Sequence, residues 1–279
     1  MNNEIMTEMI LLDICAGTKL ANRANILKYE EFAKTQPQLY IPVTDYIHGG
    51  MYTRQITILK DTIITGQIYK FDHFDIMISG DITVSTDTDK PKRFKGFNIF
   101  KGMSGKKRAG YAHEDTTWIT VHAVTGESGE KIQDFLTVDN FKELKEFYLS
   151  CDVFDFDKLI SSCNMTMEDV RIQVENKSDQ TGTISDNCYL GPSEISGTGC
   201  FSHSDFKVSD RVCEARIKDK RTMEGRYINH SVRPNCIMVI CTEGVYVMAI
   251  EPIYKNEELT VNYRTVLKNR LLENDLCQA

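Results

Sequence analysis

The sequence predicts a mainly β protein with a few helices, and three observations lead to that fold class. Between Tyr46 and Val124 the chain consists of short segments rich in Ile, Thr, Val and aromatic residues, separated at short intervals by glycines. Residues 74–79 and 118–123 alternate with the period of two that is typical of β-strands. Short strand-like segments return in the last third of the chain. Many short strands with turn signals between them predict a barrel or sandwich for the first of these regions.

Three stretches are predicted to be helical. Residues 21–34 form a weakly helical arm in which apolar side chains are mixed with charged ones. Thr137 is a plausible N-cap for an amphipathic helix that runs to about Leu149, and a shorter helix is expected after Thr166. Residues 176–187 are polar apart from one isoleucine, so we expect a linker there.

The composition is that of an ordinary soluble protein, with 41% hydrophobic and 26% charged residues. A formal net charge of −7 opposes general binding to nucleic acid. One local exception is the basic stretch 90–108, which is either a nucleic-acid contact or a solvated loop face. Acidic residues near the start and the lack of an eighteen-residue apolar run predict a cytoplasmic protein that does not contact membranes.

The cysteine pattern does not favour a zinc ribbon or a disulfide framework. The chain has nine cysteines, and no two of them form a CxxC pair. Reduced and mostly buried thiols are therefore expected.

Three motifs follow the predicted linker in a fixed order. Residues 193–201 read SEISGTGCF, in which two glycines permit either a plain tight turn or a loop that approaches a ligand closely. Residues 226–236 read RYINHSVRPNC, a cluster of donors and acceptors that fits a capped loop or a polar site. Residues 250–264 read IEPIYKNEELTVNYR, a turn and a short strand ending at Tyr263, which is either packing or functional.

Taken together, S-x-I-x-G-x-G-x-F, R-Y-I-N-H-S-x-x-P-N and E-E-L-T-x-N-Y resemble the SET-domain family, which includes protein-lysine methyltransferases. The resemblance implies a compact β-fold in which the second motif threads under the last strand as a pseudoknot. It also implies binding of S-adenosylmethionine without a metal, and Tyr263 as the catalytic residue facing the methyl-transfer channel. The implied cofactor-binding residues are Gly197, Gly199, Arg226, Asn229 and His230.

The sequence departs from that family in several places. About thirty residues separate Gly199 from Asn229, where many members carry a longer insert, and the segment Val212–Gly225 has no tyrosine for the second aromatic wall of a lysine channel. Asn256 replaces a glycine, and the cysteine cluster that follows many SET domains is missing. Two functions therefore stay open: a protein-lysine methyltransferase, or a catalytically inactive scaffold in a virion or other assembly. A weaker third is an effector that acts on a host protein.

The β-rich region resembles a degenerate cupin-like barrel of the kind found in tailed-phage proteins, on residues 66–81 and 102–124. Metal-binding cupins need further histidines and a glutamate, and here Tyr69 and Arg108 stand near two of those places. We therefore expect no metal, although the histidines at positions 48, 73, 113 and 122 could still meet in space.

The predicted domains are an arm (1–44), a cupin-like barrel (45–125), a helical connector and linker (126–187), the SET domain (188–268) and a tail (269–279). The expected partner is a protein substrate or an assembly partner, and the barrel is a candidate for homo-oligomer formation. In a viral source the expected location is the host cytoplasm or the virion.

Overall fold

The computed structural model describes residues 19–86, 90–124, 131–182 and 184–268, and it confirms a mainly β protein. The chain divides into two compact units, residues 1–145 and 146–279. Helix α3 crosses this division. The five domain ranges given above stay predictions, and the tail 269–279 lies outside the described residues.

The first unit is built mostly from strands. Its elements are α1 (Lys19–Lys34), β1 (Val43–His48), β2 (Met51–Ile58), β3 (Ile63–Thr65), β4 (Ile68–Tyr69), β5 (His73–Val84), β6 (Lys92–Lys95), β7 (Asn98–Gly102), β8 (Ala109–Ala123), α2 (Ile132–Leu136), β9 (Thr137–Val138) and the start of α3 (Phe141–Ser162).

Two long strands, β5 and β8, form the centre of the first unit. The main sheet runs in the order β1-β2-β8-β5-β6, with β3 also paired to β8 and β7 to β5. A buried cluster of Ile58, Met77, Ile82, Val84 and Ala112 packs on one face of these strands. Alternation of side chains places Ile82 and Val84 on one face of β5. The register shifts between Met77 and Ile82 bring Met77 into the same cluster, although an odd number of residues separates the two.

The second unit contains the rest of α3 and the later elements. These are α4 (Met167–Glu175), β10 (Cys188–Pro192), β11 (Thr198–Ser202), β12 (Arg211–Ile217), β13 (Lys220–Arg221), α5 (Met223–Tyr227), β14 (Asn229–His230), β15 (Cys236–Cys241), β16 (Gly244–Ala249) and β17 (Thr260–Val261). Residues 263–268 are also helical.

Small sheets surround one core in the second unit. Strands β13-β12-β16-β15 form an antiparallel sheet, and β10 pairs with β11. Strands β14 and β17 are parallel, with Asn229 opposite Thr260 and His230 opposite Val261. This pairing lays the second sequence motif beside the third. The core includes Cys188, Cys200, Cys213 and Cys236, whose thiols are free and buried. The other described cysteines are also free, but they are not buried.

Three local predictions differ from the structure. Helix α3 begins at Phe141 because Asn140 accepts the Glu143 amide (3.0 Å), whereas Thr137 pairs with Tyr69 in a two-stranded ladder. The helix also extends to Ser162 instead of ending near Leu149. Gly80, one of the glycines expected to separate short strands with a turn, lies with Asp81 inside β5, where the register against β8 shifts.

The short helix after Thr166 is confirmed, and the segment that follows it is held in place. Thr166 and Asp169 form a reciprocal capping box at the start of α4. The predicted linker contacts the body of the second unit: Asp179 pairs with Arg221 (2.7 Å), and the Ser185 amide donates to Glu224 (2.6 Å). The polar residues that predicted a linker therefore belong to a segment that hydrogen bonds fix to the rest of the unit.

Candidate cofactor and active site

The loop between β10 and β11 uses its two glycines for different reasons. Gly197 has φ +51°, a left-handed backbone that closes the turn through a hydrogen bond from the Ser193 amide to the Gly197 carbonyl (2.9 Å). Gly199 instead makes room for a neighbour, because a Cβ atom there would lie 2.3 Å from Oε1 of Glu258. The loop and the third motif therefore meet at Glu258.

Asn229 connects this loop to the second motif. Its amide nitrogen lies 2.8 Å from Oε1 of Glu258, 3.0 Å from Oγ of Ser193 and 3.1 Å from the carbonyl oxygen of Ser196. The Thr198 carbonyl is 3.4 Å away. An amide nitrogen is a donor, so one side of Asn229 faces a group of acceptors that includes a carboxylate.

His230 is buried, and both of its ring nitrogens are engaged within the protein. Nδ1 accepts the backbone N–H of Tyr263 (3.1 Å), so Nε2 carries the proton and donates to Asp155 (3.1 Å). Burial lowers the pKa of His230 even though Asp155 acts in the opposite direction. The imidazole is therefore neutral at pH 7, and it positions Tyr263.

Helix α3 supplies residues to this site that the sequence reasoning missed. Asp155 also binds Arg264 (3.0 Å), and Asp152 accepts from the Val232 amide (2.8 Å) and from the hydroxyl of Ser231 (3.1 Å). Burial raises the pKa of Asp152, although the hydrogen bonds from Val232 and Ser231 act against this. The sequence did contain a signal for these residues, because the helical spacing of i, i+3 and i+4 continues beyond Leu149 at positions 152, 155 and 156.

Tyr263 lies at the end of the third motif with its hydroxyl group inside the site. The hydroxyl donates to the carbonyl oxygen of Ile228 (2.7 Å), and burial raises the pKa of Tyr263 to about 12. The ring of Phe156 meets the Tyr263 ring edge-on at 5.9 Å, and His230 lies 5.3 Å away. An aromatic neighbour thus comes from α3, whereas none was found in the segment Val212–Gly225.

The surroundings of Arg226 differ from those expected of a cofactor-binding residue. Its side chain is fully buried and donates to the carbonyl oxygens of Val174 (2.8 Å) and Asn176 (2.6 Å), and it pairs with Asp179 (2.9 Å). These hydrogen bonds therefore cap the C-terminal end of α4, where the last carbonyl groups have no partner within the helix. Arg221, together with Arg226, lowers the pKa of Asp179 to about 2.

The histidines of the first unit do not gather at one point. His73 and His122 stack at 4.6 Å, but His113 contacts Thr83 (2.8 Å) and His48 is exposed. Over the described ranges, no group of three or more His, Cys, Asp or Glu side chains could hold a metal ion.

Several residues of the basic stretch 90–108 are paired with acids. Arg93 and Lys95 both contact Asp81, at 2.7 and 2.8 Å, and Lys107 contacts Glu30 at 2.7 Å. The hydrogen bond from Arg93 is the main reason why the pKa of Asp81 falls to about 2. This stretch is therefore partly neutralised within the fold. Among the described helices, none has the length and apolar character needed to cross a membrane.

Comparison with known proteins identifies the family. The sequence profile of the SET domain matches residues 13–264, so the chain belongs to the SET-domain family. The match begins well before position 188, where the three motifs placed the start of the domain. Among curated proteins, no significant match is found.

Solved structures similar to part of this chain include cupin proteins. One is a cupin superfamily protein from Desulfitobacterium hafniense (6% identity, 32% of this chain, 83% of that chain, TM-score 0.28). Another is an RmlC-like cupin with a double-stranded β-helix fold from Methanocaldococcus jannaschii (16% identity, 32% and 84%, TM-score 0.27).

Proposed function

We propose that the second unit binds S-adenosylmethionine at the Gly197–Asn229–Glu258 site and transfers its methyl group to an amine, with a protein lysine as the substrate. The observation that carries the proposal is the acceptor group around the Asn229 amide nitrogen. The residues are those that match the motifs of a family whose members generally use this cofactor.

The chemistry of the site fits that cofactor. The Glu258 carboxylate and the carbonyl oxygens of Ser196 and Thr198 lie within 3.4 Å of the Asn229 nitrogen. Acceptors of this kind suit a cationic group, and S-adenosylmethionine carries an ammonium and a sulfonium. We assign the cofactor contacts to Gly197, Gly199 and Asn229. Arg226 is left out because its guanidinium group already donates to the carbonyl oxygens at the end of α4. His230 acts by holding Tyr263, so any contact it makes with the ligand is through its ring edge or backbone.

The reaction asks little of the protein. When bound, the cofactor supplies an activated methyl group, and the chain has to align a neutral amine and exclude water. The Tyr263 proton is directed to the Ile228 carbonyl, which leaves the hydroxyl oxygen as an acceptor for an N–H group of the amine. With a pKa of about 12, Tyr263 stays protonated at neutral pH, so it orients the amine and does not act as the base. The amine therefore loses its proton to solvent before it enters.

Calorimetric titration with S-adenosylmethionine tests the binding step. We expect a dissociation constant in the micromolar range that Asn229→Ala weakens by at least about tenfold, since hydrogen bonds to charged groups are lost. Asn176→Ala is the matched control, because this asparagine is exposed and belongs to the same unit. Absence of binding by the folded protein at millimolar cofactor would leave the scaffold function, whose partner is a protein assembly.

Methyl transfer is tested separately with Tyr263→Phe. Removal of the hydroxyl is expected to lower turnover on a lysine substrate by about 10²-fold or more while cofactor affinity changes little. Tyr254→Phe is the control, because Tyr254 is exposed in the same unit. Equal loss of turnover in both variants would contradict the role given to Tyr263.

A further inference from the structure

The first unit contains a cavity that the proposed methyl transfer does not use. Its volume is about 290 Å³, close to the lower end of the range for small-molecule sites. The apolar wall is formed by side chains from β2, β3, β5 and β8, namely Ile56, Ile58, Ile64, Ile82, Val84 and Trp118. Such a wall suits the hydrocarbon part of a small molecule.

One end of the cavity is polar, and the strand register defines it. Thr120 on β8 stands opposite Arg54 on β2 and opposite Asp75 on β5, so the three side chains lie in one row on the same face of the sheet. Arg108 lies at the same end and approaches Asp75 with its Nη1 at 3.6 Å from Oδ2. All four residues line the cavity.

The Asp75 carboxylate is already satisfied by its neighbours. It accepts from Nε1 of Trp118 (3.1 Å) and lies 3.6 Å from Nε2 of His73. Burial alone would raise the pKa of Asp75, but the interactions with His73, Trp118 and Arg108 outweigh it and lower the pKa. Arg54 forms an ion pair with Asp45 at 3.4 Å, but Asp45 is half-exposed and does not line the cavity, so within the lining the single carboxylate of Asp75 faces two guanidinium groups. The polar end therefore has an excess of positive charge.

Thr120 provides a second, independent sign of a ligand. The residue is 9% exposed, it lines the cavity, and its hydroxyl oxygen has no partner within hydrogen-bonding distance among the described residues. Its polar neighbour is the hydroxyl group of Tyr69, which also lines the cavity and whose pKa Thr120 lowers against the effect of burial. A buried hydroxyl without a partner is costly, and such groups are usually satisfied by something that binds there.

From the positive end, the unpartnered hydroxyl and the apolar wall, we propose that this cavity binds a small monocarboxylate with an apolar body. The carboxylate lies at Arg108, Arg54 and Thr120, and the hydrocarbon part lies against Trp118 and the isoleucines. This site is independent of the cofactor site in the second unit.

The chain offers a specific probe, since Trp118 is its single tryptophan. Intrinsic fluorescence therefore reports on this cavity. Hexanoate, 4-methylpentanoate and cyclohexanecarboxylate are titrated to about 10 mM, with hexanamide and hexylamine as uncharged and cationic controls. We expect a saturable fluorescence change and a higher melting temperature with at least one acid, an effect at least about tenfold weaker with hexanamide, and none with hexylamine. No response to any acid, or an equal response to hexanoate and hexanamide, would overturn the proposal.

Two variants locate the carboxylate. Arg108→Gln is expected to weaken acid binding by about tenfold or more, whereas Lys101→Gln, an exposed residue of β7 with the same change in charge, leaves it unchanged. Thr120→Val keeps the shape but removes the hydroxyl; it should weaken binding several-fold while the melting temperature of the free protein is unchanged or higher. Retained affinity in both Arg108→Gln and Thr120→Val would show that the acid binds elsewhere and refute this assignment.

Discussion

Replacement of Arg226 by methionine separates a structural role from the cofactor role that the motif predicted. In Arg226→Met the side chain keeps its length, but the carbonyl oxygens of Val174 and Asn176 and the carboxylate of Asp179 lose a buried donor. Breaking one partner of a buried, charged hydrogen-bond group costs about 3–5 kcal/mol. Asp179 is one-third exposed and can be rehydrated, so we expect a loss of about 3 kcal/mol in the free energy of unfolding.

Urea denaturation followed by far-UV circular dichroism measures this change. Arg171→Met is the control, because Arg171 lies on α4 and its pair with Glu168 is exposed on both sides, so its loss should change the free energy of unfolding little. S-adenosylmethionine binding is measured on both variants under folding conditions. A loss below about 1 kcal/mol for Arg226→Met, together with a large fall in cofactor affinity, would refute the capping role and restore the role read from the motif.

Three further predictions concern single residues. Burial raises the pKa of Asp152 above its unfolded value, so its own contribution to the free energy of unfolding rises as the pH falls through the folded pKa, opposite in sign to the contributions of Asp81 and Asp179. In denaturation curves recorded from pH 7 to pH 4, the free energy of unfolding of Asp152→Asn minus that of the parent protein should therefore decrease as the pH is lowered. Gly199→Ala places a methyl group against Glu258, which must turn away from Asn229, so calorimetry should show weaker cofactor binding with the fold retained. Thr166→Ala removes the capping box of α4 and should cost about 1 kcal/mol of unfolding free energy, and a melting temperature equal to that of the parent protein would contradict it.

Local patterns were sufficient for the strands and for one helix start. Period-two alternation predicted strands in 74–79 and 118–123, which lie within β5 and β8. The helix expected after Thr166 begins there, and the capping box that fixes this start is local, since Asp169 is only three residues away. Thr137 failed as a cap because its backbone pairs with Tyr69, a residue that is distant in sequence.

Composition and local patterns were enough to predict the mainly β class, the SET family and the residues of the three motifs, since each motif is a run of neighbours along the chain. Which contacts those residues make depends on the tertiary structure. Asp155 binds His230 across 75 positions, and Asp152 reaches Ser231 across 79. The burial of Arg226 under α4 also depends on contacts about fifty residues apart. No pattern along the chain records such contacts, because they form only when packing brings distant helices and strands together.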